Sequence, residues 1–547
     1  MARKVFISVL GTGKYSNCIY VKGNEFQLST PYIQHATLKL IKAEDWDKTS
    51  VGYILLTEKA RSENWDKSGT LSDILNDLSL PFPIYPIDIP NGKNEDEMWN
   101  LFEITFNLLN EGDELYFDVT HGFRYLPMFI LVLGNYAKFL KHIKVRSITY
   151  GNWEARNPNT NEAPIMNLLP LSSLQDWTFA TANYLENGYA DKLLSLSKEQ
   201  IKEAYLNNTL PKKHDVNLKE YFDSLNFMLT ERQTCRGLNI ITSEKVNEVS
   251  ISTDLIMERV KPHFKPLFKE IKKSIQLFKP SNDIHNTFSA ARWCLDKHLY
   301  QQAITFIREG TISKICDSLS IYDIDDRELV PRAFKLRGKE IENNIITQKN
   351  VWERYNDHDR ALIKKILRSS FCANTKLVNA VNSMIDLRND YNHCGMKKEP
   401  LNSKKIISGI DNYLKLIEDN IFNGLEFRER IFLNLSNHPS EQWSDKQLAA
   451  AREYGDIEDM EFPDIPPGAT GEELMNFAEK TAEEILQKAE NADITVHVMG
   501  EMTFTYRLVS LLKAEGITCV ASTTERIVEE KDGLKTSEFR FIKFREY

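Results

Sequence analysis

Two residues with complementary chemistry lie five positions apart in a region whose pattern predicts helix. Arg388 and His393 bound the segment RNDYNH. On a helix, five residues at about 100° each separate the two side chains by about 140°, so they would line two sides of a cleft. A guanidinium that holds a phosphate and an imidazole that moves protons suit metal-free RNA cleavage, in which the ribose 2′-hydroxyl attacks the neighbouring phosphate. A solvated arginine and a helix-end histidine are the alternative.

A second group of polar residues lies where a predicted strand meets a predicted helix. The segment Asp118–Arg124 (DVTHGFR) joins the strand Glu114–Val119 to an apolar helix that begins at Tyr125. Ligands of open parallel sheets bind outside the carboxyl ends of strands, against helix N-termini. Helix amides and an arginine suit an anion, while Thr120 and His121 can form directional hydrogen bonds. A capped helix start with a buried histidine is the alternative.

The segment Gly11–Lys14 (GTGK) follows the first predicted strand, as a phosphate-binding loop would. It is not a Walker A loop, because Ser8 stands at the required first glycine and Tyr15 follows the lysine. Ser16 likewise excludes the G-x-G-x-x-G pattern. These differences disfavour ATP hydrolysis and dinucleotide binding, and a tight strand–helix turn remains the alternative.

The elements that must position these residues form two α/β modules around a helical middle. The N-terminal strands are predicted at Lys4–Leu10, Val51–Thr57, Ile84–Ile89, Glu114–Val119 and Val145–Tyr150. Their alternation with helices predicts a parallel sheet covered on both faces, a Rossmann-like α/β domain. From about Leu174 to Asn423 the pattern is helical, which predicts an all-α middle. From Arg430 onward strands and helices alternate again, which predicts a small Rossmann-like α/β domain at the C-terminus. Its last predicted elements are a strand at Ile517–Ser522 and a hairpin of Arg526–Glu530 and Glu538–Phe544 around a turn at Asp532–Gly533.

The composition is that of a multidomain protein able to bury several cores. The chain has 547 residues, of which 42% are hydrophobic and 27% charged. The longest strongly apolar stretch, Tyr125–Ala137, is shorter than the roughly 20 residues that a membrane span needs. Dispersed cysteines without a C-x-x-C pair, and histidines without an H-x-x-x-H pair, predict neither a disulfide framework nor a metal site. We therefore expect a cytoplasmic protein that does not associate with membranes.

The negative charge of the chain is concentrated in its last fifth. Residues 428–547 hold 14 Lys and Arg against 24 Asp and Glu, whereas the whole chain has a net charge of −9. The rest of the chain is therefore close to neutral. An acidic module repels phosphates, so it is a poor surface for long RNA.

The N-terminal and central motifs together resemble a known family. DVTHGFR matches the D-T-H-G-F-R signature of CRISPR-associated Rossmann-fold (CARF) proteins, with Val119 inserted or substituted relative to the usual pattern. RNDYNH looks like the R-x4-H motif of higher eukaryote and prokaryote nucleotide-binding (HEPN) domains, and Ala290–Cys316 looks like that domain's first long helices. Over about residues 1–425 the chain resembles the type III CRISPR ancillary ribonucleases, in which a cyclic oligoadenylate binds the CARF dimer and activates the HEPN dimer.

The resemblance implies ligands and partners. It implies a cyclic oligoadenylate activator, with cyclic tetra-adenylate favoured over cyclic hexa-adenylate, and a single-stranded RNA substrate. It implies a homodimer that forms no stable complex with the CRISPR effector. It also implies that no cofactor is required.

The resemblance also assigns domains and residues. It implies a CARF-type domain at 1–175, a helical connector at 176–280, a HEPN ribonuclease domain at 281–427 and an added α/β domain at 428–547. Arg388 and His393 would be catalytic, with Asn389 and Asn392 orienting them. The implied ligand-binding residues are Gly11, Thr12, Gly13, Lys14, Thr120, His121, Gly122 and Arg124.

The C-terminal module carries polar segments at three predicted strand ends, which would meet at one edge of a parallel sheet. The segments are Ser436–His438, Gly500–Thr503 and Ser522–Arg526. The module resembles small proteins encoded beside type III CRISPR systems, some of which look like ring nucleases that cleave the cyclic oligoadenylate. The candidate residues are Ser436, Asn437, His438, Glu501, Thr503, Thr523, Thr524 and Arg526. An inert binding or dimerisation domain is the alternative. His497 alternates within a predicted strand, which predicts a packed core histidine and not a catalyst.

Two further hypotheses stay open. The chain is alternatively a regulator that senses a cyclic nucleotide and binds nucleic acid without cutting it. In another alternative the N-terminal pocket itself degrades the messenger, through Lys14, Thr120 or His121.

Overall fold

The computed structural model describes residues 2–206, 218–343, 352–396, 398–423, 429–490, 492–531 and 534–547. Contacts divide the chain into two compact units, residues 1–182 (the N-terminal unit) and residues 183–547 (the C-terminal unit). Within the described ranges, every helix is too short or too polar to traverse a lipid bilayer.

The N-terminal unit alternates strands and helices along the chain. In order, its elements are β1 Lys4–Leu10, β2 Cys18–Lys22, β3 Phe26–Thr30, α1 Ile33–Leu40, β4 Val51–Leu56, α2 Glu58–Asn64, α3 Leu71–Asp77, β5 Ile84–Asp88, α4 Glu95–Asn107, β6 Glu114–Asp118, α5 Leu126–Leu140, β7 Lys144–Gly151, β8 Glu162–Asn167 and α6 Leu169–Asn187. The strands form one sheet in the order β3-β2-β8-β7-β6-β1-β4-β5.

This sheet is mixed, so the prediction of a parallel sheet holds only for the part from β7 to the edge strand β5. The five predicted strands pair in parallel in the order β7-β6-β1-β4-β5. β8 joins antiparallel to β7, and the antiparallel pair β2–β3 extends the edge beyond β8. The three added strands are short and only partly buried. β3 (FQLST) and β8 (EAPIMN) lack the continuous apolar run that identifies a buried parallel strand in a sequence, whereas the four apolar residues CIYV of β2 were missed.

Helices cover both faces of the parallel part of this sheet, as predicted. On one face, side chains of β1 and β6 pack with Leu101 of α4 and with Phe129 and Leu133 of α5. On the other face, the core includes Leu38 of α1 and Leu71 of α3. β1 is buried from Val5 to Leu10, which fixes the loop that follows it.

The described residues between 183 and 423 form helices. They are α7 Asp191–Leu206, α8 Leu218–Gln233, α9 Gly237–Thr242, α10 Glu244–Arg259, α11 Lys265–Ile275, α12 His285–Asp296, α13 Tyr300–Ser318, α14 Leu329–Asn343, α15 Asp357–Arg368, α16 Ser370–Ala373, α17 Thr375–Asn392 and α18 Ser403–Phe422. α17, which carries the RNDYNH segment, packs against α13, α14 and α18.

A second sheet follows the helices. Its elements are β9 Glu429–Ser436, α19 Asp445–Arg452, β10 Asp456–Asp459, α20 Gly471–Ala489, β11 Ala492–Met499, α21 Met502–Ala514, β12 Thr518–Lys531 and β13 Leu534–Glu546. The strand order is β10-β9-β11-β12-β13, and only the last pair is antiparallel.

Two details of this second sheet differ from the sequence prediction. The short strand β10 was not predicted, because its residues (DIED) are acidic and half exposed. The strands predicted separately at Ile517–Ser522 and Arg526–Glu530 belong to the single strand β12. The turn predicted at Asp532–Gly533 lies outside the described residues.

Glu515, next to the end of α21, connects this α/β module to the helices. Its carboxylate accepts hydrogen bonds from Lys364 Nζ at 2.6 Å and from Arg368 at 2.9 Å, both on α15. Burial raises the pKa of Glu515, but the two cations outweigh it and hold that pKa below its ordinary value. The next residue, Gly516, has φ +77°, and a Cβ there would lie 2.5 Å from the carbonyl oxygen of Ala361. Only glycine fits this close approach.

Replacing Gly516 with Ala should therefore destabilise the contact between α21 and α15. We expect the free energy of unfolding to fall by about 1–3 kcal/mol, because the new Cβ meets backbone atoms and the backbone is left-handed. Urea unfolding followed by circular dichroism measures the change. Gly468→Ala is the matched control, because a Cβ at Gly468 has no neighbour within 4 Å. Equal stability of the two variants would contradict the prediction.

Candidate functional site

The loops after β1 and β6 lie together at one edge of the N-terminal sheet. β1 and β6 pair in parallel, with Ser8 opposite Asp118. The Ser8 hydroxyl donates to the buried Asp118 carboxylate at 2.7 Å, and the Thr120 hydroxyl donates to the other carboxylate oxygen at 2.5 Å. Burial raises the pKa of Asp118, and these hydrogen bonds partly offset that effect. The Thr120 oxygen also accepts from the N–H of Gly151, so the start of the DVTHGFR loop is tied to three strands.

Two residues that the sequence analysis did not select hold the GTGK loop. The Asn64 side-chain amide, at the end of α2, donates to the carbonyl oxygens of Gly11 and Gly13 at 2.9 and 3.0 Å. The hydroxyl of Tyr15 accepts from the N–H of Gly11 at 2.9 Å. The Tyr15 ring also meets the His121 ring edge-on, with centroids 5.0 Å apart. The two loops therefore contact each other, and Thr12, Gly13 and Lys14 are exposed.

His121 and Gly122 occupy the turn between β6 and α5. Burial lowers the pKa of His121 to about 4, so the ring is neutral at physiological pH. Its Nε2 is buried and has no hydrogen-bond partner among the described residues. Gly122 has φ +117°, and a Cβ there would lie 3.0 Å or less from side-chain atoms of Val9 and Leu126. Arg124 is exposed, two residues before the observed start of α5 at Leu126.

The structure places Arg388 and His393 at the C-terminal end of α17. Arg388 lies inside the helix and is half-buried, and its buried Nε has no hydrogen-bond partner in the described part of the chain. His393 is the exposed C-cap residue, whose N–H donates to the carbonyl of Asn389 at 3.0 Å. Asn389 and Asn392 are exposed on the same end of the helix. A cationic donor and an imidazole are thus presented at one helix terminus.

The position of His393 is fixed by the way that α17 ends. Cys394 and Gly395 adopt φ +56° and +65°, which stops the helix. The N–H of Gly395 donates to the carbonyl of Asp390 at 2.9 Å. The Asp390 carboxylate accepts from the N–H of Leu401 at 2.9 Å, so the following loop folds back onto the helix.

In the C-terminal module, the first two predicted segments follow the neighbouring strands β9 and β11. Ser436 is buried, and its hydroxyl hydrogen-bonds with Asn434 Oδ1 at 2.8 Å. Asn437 and His438 are exposed, and the N–H of Asn437 donates to the carbonyl of Met499 at 3.3 Å. Ser436 is therefore a structural hydroxyl, whereas Asn437 and His438 reach solvent.

Glu501 and Thr503 form a helix cap. The Glu501 carboxylate accepts from the N–H groups of Thr503 and Phe504 at 3.1 and 2.7 Å, and from the Thr503 hydroxyl at 2.7 Å. These bonds lower the pKa of Glu501. The carboxylate already occupies the start of α21, so it would oppose a phosphate there.

The last segment lies within β12. Thr523 donates from its hydroxyl to the carbonyl of Lys543 at 2.8 Å. Thr524 follows an irregularity in the pairing with β13, and Arg526 lies near the Phe539 ring, with 5.9 Å between the guanidinium carbon and the ring centroid. Thr524 and Arg526 are exposed.

These elements define a multidomain α/β protein. In each of its two sheets, exposed loops follow the carboxyl ends of parallel strands, and an R-x4-H pair lies at the end of a helix. Over 271 residues, 49% of its length, the chain is 25% identical to the CRISPR-associated protein MJ1674 of Methanocaldococcus jannaschii. The match spans only 38% of that protein. This homology supports the resemblance to the type III CRISPR ancillary CARF–HEPN proteins.

Two further similarities were found. Residues 430–545 match the model of the uncharacterized protein MJ1673 family. The structure of Enterococcus italicus Csm6 bound to cyclic hexa-2′-fluoro-hexa-dAMP matches at a TM-score of 0.39 and 12% identity, covering 78% of this chain and 96% of that chain. A TM-score at this level carries no argument about function.

Lowering the pH from 7 to 5 should destabilise both units. His121 and His497 have pKa values of about 4 because burial disfavours their charged forms, against an ordinary value of 6.5. As the pH falls below 6.5, the unfolded chain binds protons that the folded chain does not. The stability present at pH 7 is therefore lost towards pH 4, by about 2 kcal/mol for each histidine at pH 5.

Urea unfolding at both pH values measures this loss. His121→Gln and His497→Gln should each show a weaker pH dependence than the unaltered protein. The prediction fails if both variants lose as much stability between pH 7 and pH 5 as the unaltered protein does.

Proposed function

We propose that this protein is a cyclic oligoadenylate-activated, metal-independent endoribonuclease of type III CRISPR defence that cuts single-stranded RNA. In this proposal the N-terminal unit senses the activator and α17 carries the nuclease residues. The C-terminal α/β module binds or degrades the activator and so limits the activity. The presentation of Arg388 and His393 at one helix end is the observation that carries the proposal.

The chemistry of α17 supports cleavage through the ribose 2′-hydroxyl. The exposed imidazole of His393 can accept or donate the proton that moves during the reaction. Arg388 is half-buried at the same end of the helix, and its guanidinium supplies a positive charge that suits a phosphate. Asn389 and Asn392 offer amides that orient the RNA. Each protomer supplies one such set.

The loops of the N-terminal sheet support binding of a compact anionic ligand. Lys14 is exposed and supplies a positive charge, and the exposed Arg124 supplies another. A cyclic oligoadenylate is a compact ligand that carries several phosphates, which these two positive charges would contact.

An exposed apolar stripe on α5 supports the homodimer. Met128, Val132, Tyr136 and Phe139 are spaced three or four residues apart, so they lie on one face of the helix. Their exposed fractions range from 46% to 75%, unusual for large apolar side chains. A second copy of the same helix would cover this face through a symmetric contact.

The acidity of the C-terminal module limits the kind of ligand that the module would bind. With 14 basic and 24 acidic residues in 428–547, the module favours a small ligand over a long RNA. Its ion pairs from Glu515 to α15 attach it to the helical region that carries the nuclease residues. A module that degrades the activator in this position would lie in the same folded unit as the nuclease residues whose activity it limits.

Arg388→Ala and His393→Ala should each lower RNA cleavage by 100-fold or more while leaving activator affinity unchanged. The first removes a charge-assisted phosphate contact and the second removes proton transfer. The assay is a time course with fluorescent single-stranded RNA, EDTA, and cyclic tetra- or hexa-adenylate. His263→Ala, an exposed histidine on the loop before α11, is the control. Absence of cleavage with either ring size would leave the non-cleaving regulator as the function.

Lys14→Ala should lower the affinity for cyclic tetra-adenylate by about tenfold, because the exposed ammonium is removed from the binding loop. Isothermal titration calorimetry measures this affinity. Lys22→Ala, at the end of β2, removes an equal charge from the same unit and should have little effect. Equal losses of affinity in the two variants would contradict a specific contact, because they would show that Lys14 contributes only to the net charge of the unit.

A further inference from the structure

Three polar side chains on neighbouring strands of the C-terminal sheet form a continuous hydrogen-bonded relay. Ser522 Oγ on β12 lies 2.9 Å from His497 Nε2 on β11. The other ring nitrogen, Nδ1, lies 2.9 Å from Asn434 Oδ1 on β9. A hydroxyl, an imidazole and an orienting group in this order are the arrangement that activates a nucleophile. Ser522 is the first residue of the polar segment Ser522–Arg526, but the sequence did not show that these three residues contact one another.

The partners of Asn434 determine which nitrogen of His497 carries the proton. The Asn434 amide nitrogen donates to the carbonyl of His438 at 3.0 Å and to Asp459 Oδ1 at 2.6 Å. Both partners can only accept, so the amide oxygen must face His497. An oxygen acceptor requires a proton on Nδ1. The lone pair of Nε2 therefore points at Ser522.

The surroundings of Ser522 also direct its hydroxyl proton towards His497. Gln447 Nε2 donates to Ser522 Oγ at 3.3 Å, which leaves the serine proton for His497. The N–H of Ser522 donates to the Met499 sulfur at 3.3 Å, and a thioether is a weak acceptor. A developing negative oxygen would be a better partner for this N–H.

Only the serine of the relay reaches solvent. Asn434 is 1% exposed and His497 is 2% exposed, whereas Ser522 is half-buried. The His497 ring is held by Phe432, Trp443 and Phe544, with ring centroids 5.3–6.1 Å away. Burial lowers the pKa of His497 to about 4, so the imidazole is neutral at physiological pH and its Nε2 lone pair can accept a proton. The same burial disfavours the protonated ring, so the proton must move on to the leaving oxygen as that oxygen departs.

We propose that Ser522 is a nucleophile, activated by His497 and oriented through Asn434, that attacks a phosphodiester of a cyclic oligoadenylate. The substrate class rests on the proposed function of the C-terminal module. The relay itself does not depend on it. Ser522 is the catalytic residue that touches the substrate, His497 is the base, and Asn434 is a positioning residue.

The reaction balances in two steps. Ser522 Oγ forms a bond to phosphorus as its proton passes to His497 Nε2, the bond from phosphorus to the ribose 5′-oxygen breaks, and that oxygen takes the proton. Water then attacks phosphorus, giving one proton to His497, and the bond to Ser522 breaks as the serine oxygen takes that proton. The product is a linear oligoadenylate with a terminal 3′-phosphate.

The nucleophile is tested first without any messenger. Diisopropyl fluorophosphate should add one diisopropylphosphoryl group to Ser522, with loss of fluoride, as measured by intact mass and peptide mapping. Ser522→Ala should lose this adduct. Ser510→Ala, an exposed serine on α21, should keep it. Absence of an adduct, or its location at another residue, would overturn the assignment of Ser522.

The substrate class is tested in the full chain with Arg388→Ala and His393→Ala combined, so that RNA cleavage does not interfere. Cyclic tetra-adenylate and its 2′-fluoro analogue should be linearised at rates within tenfold of each other, because the serine mechanism does not use the 2′-hydroxyl. Adding Ser522→Ala should lower both rates at least 100-fold. Cleavage of the hydroxyl form alone would overturn the serine mechanism.

Failure of the proposed function gives a different pattern. If Ser522 is labelled but neither messenger is cleaved, the nucleophile stands and the assigned substrate class is wrong. If the messenger is cleaved at the same rate with Ser522→Ala, the degradation occurs elsewhere, and Lys14→Ala in the same background locates it in the N-terminal pocket.

Discussion

Parallel strand pairing is the constraint on which the loop sites of this protein depend. Adjacent parallel strands end at the same edge of a sheet, so the segments that follow them are brought together whatever their separation in sequence. β1 and β6 place the GTGK and DVTHGFR loops side by side although they are more than 100 residues apart. β9 and β11 do the same for the first two polar segments of the C-terminal module, whereas the third segment lies inside β12 and not after it. The helix-end pair on α17 is local and needs no such constraint.

In each sheet a buried polar contact between neighbouring strands strengthens this arrangement. Ser8 and Asp118 perform this role in the N-terminal unit, and Asn434 and His497 perform it in the C-terminal module. A buried polar group costs free energy unless it is hydrogen-bonded, so each contact favours one register of its strands. The same contacts fix side chains close to the exposed loops. Stability and site geometry therefore depend on the same residues.

The C-terminal unit joins the candidate nuclease helix and the α/β module through packed helices. Glu515 pairs with α15, α15 packs on α14, and α14 packs on α17. Gly516 allows the close approach at the first of these contacts. Under the proposed function, removal of the activator and RNA cleavage would take place in the same folded unit.

The sequence by itself determined the elements whose signals are local. The sequence predicted the five parallel strands of the first sheet, and the helical periodicity placed Arg388 and His393 at one helix. The strands β2, β3, β8 and β10 escaped prediction; all four are short, and β3, β8 and β10 also lack a continuous apolar run. The alternation of His497 within a strand correctly indicated burial, but it gave no sign of the residues at its two ring nitrogens.

Only the tertiary structure decided which polar residues meet. Asn64 holds the GTGK loop from the end of α2, and Ser522, His497 and Asn434 come from three separate strands. Their contacts depend on strand order and register, which are set by long-range pairing and leave no fixed spacing in the sequence. Glu501 shows the opposite case, since a carboxylate that the sequence offered as a site residue is used to cap α21. The sequence showed which residues could bind or react, whereas the fold decided which of these residues contact one another.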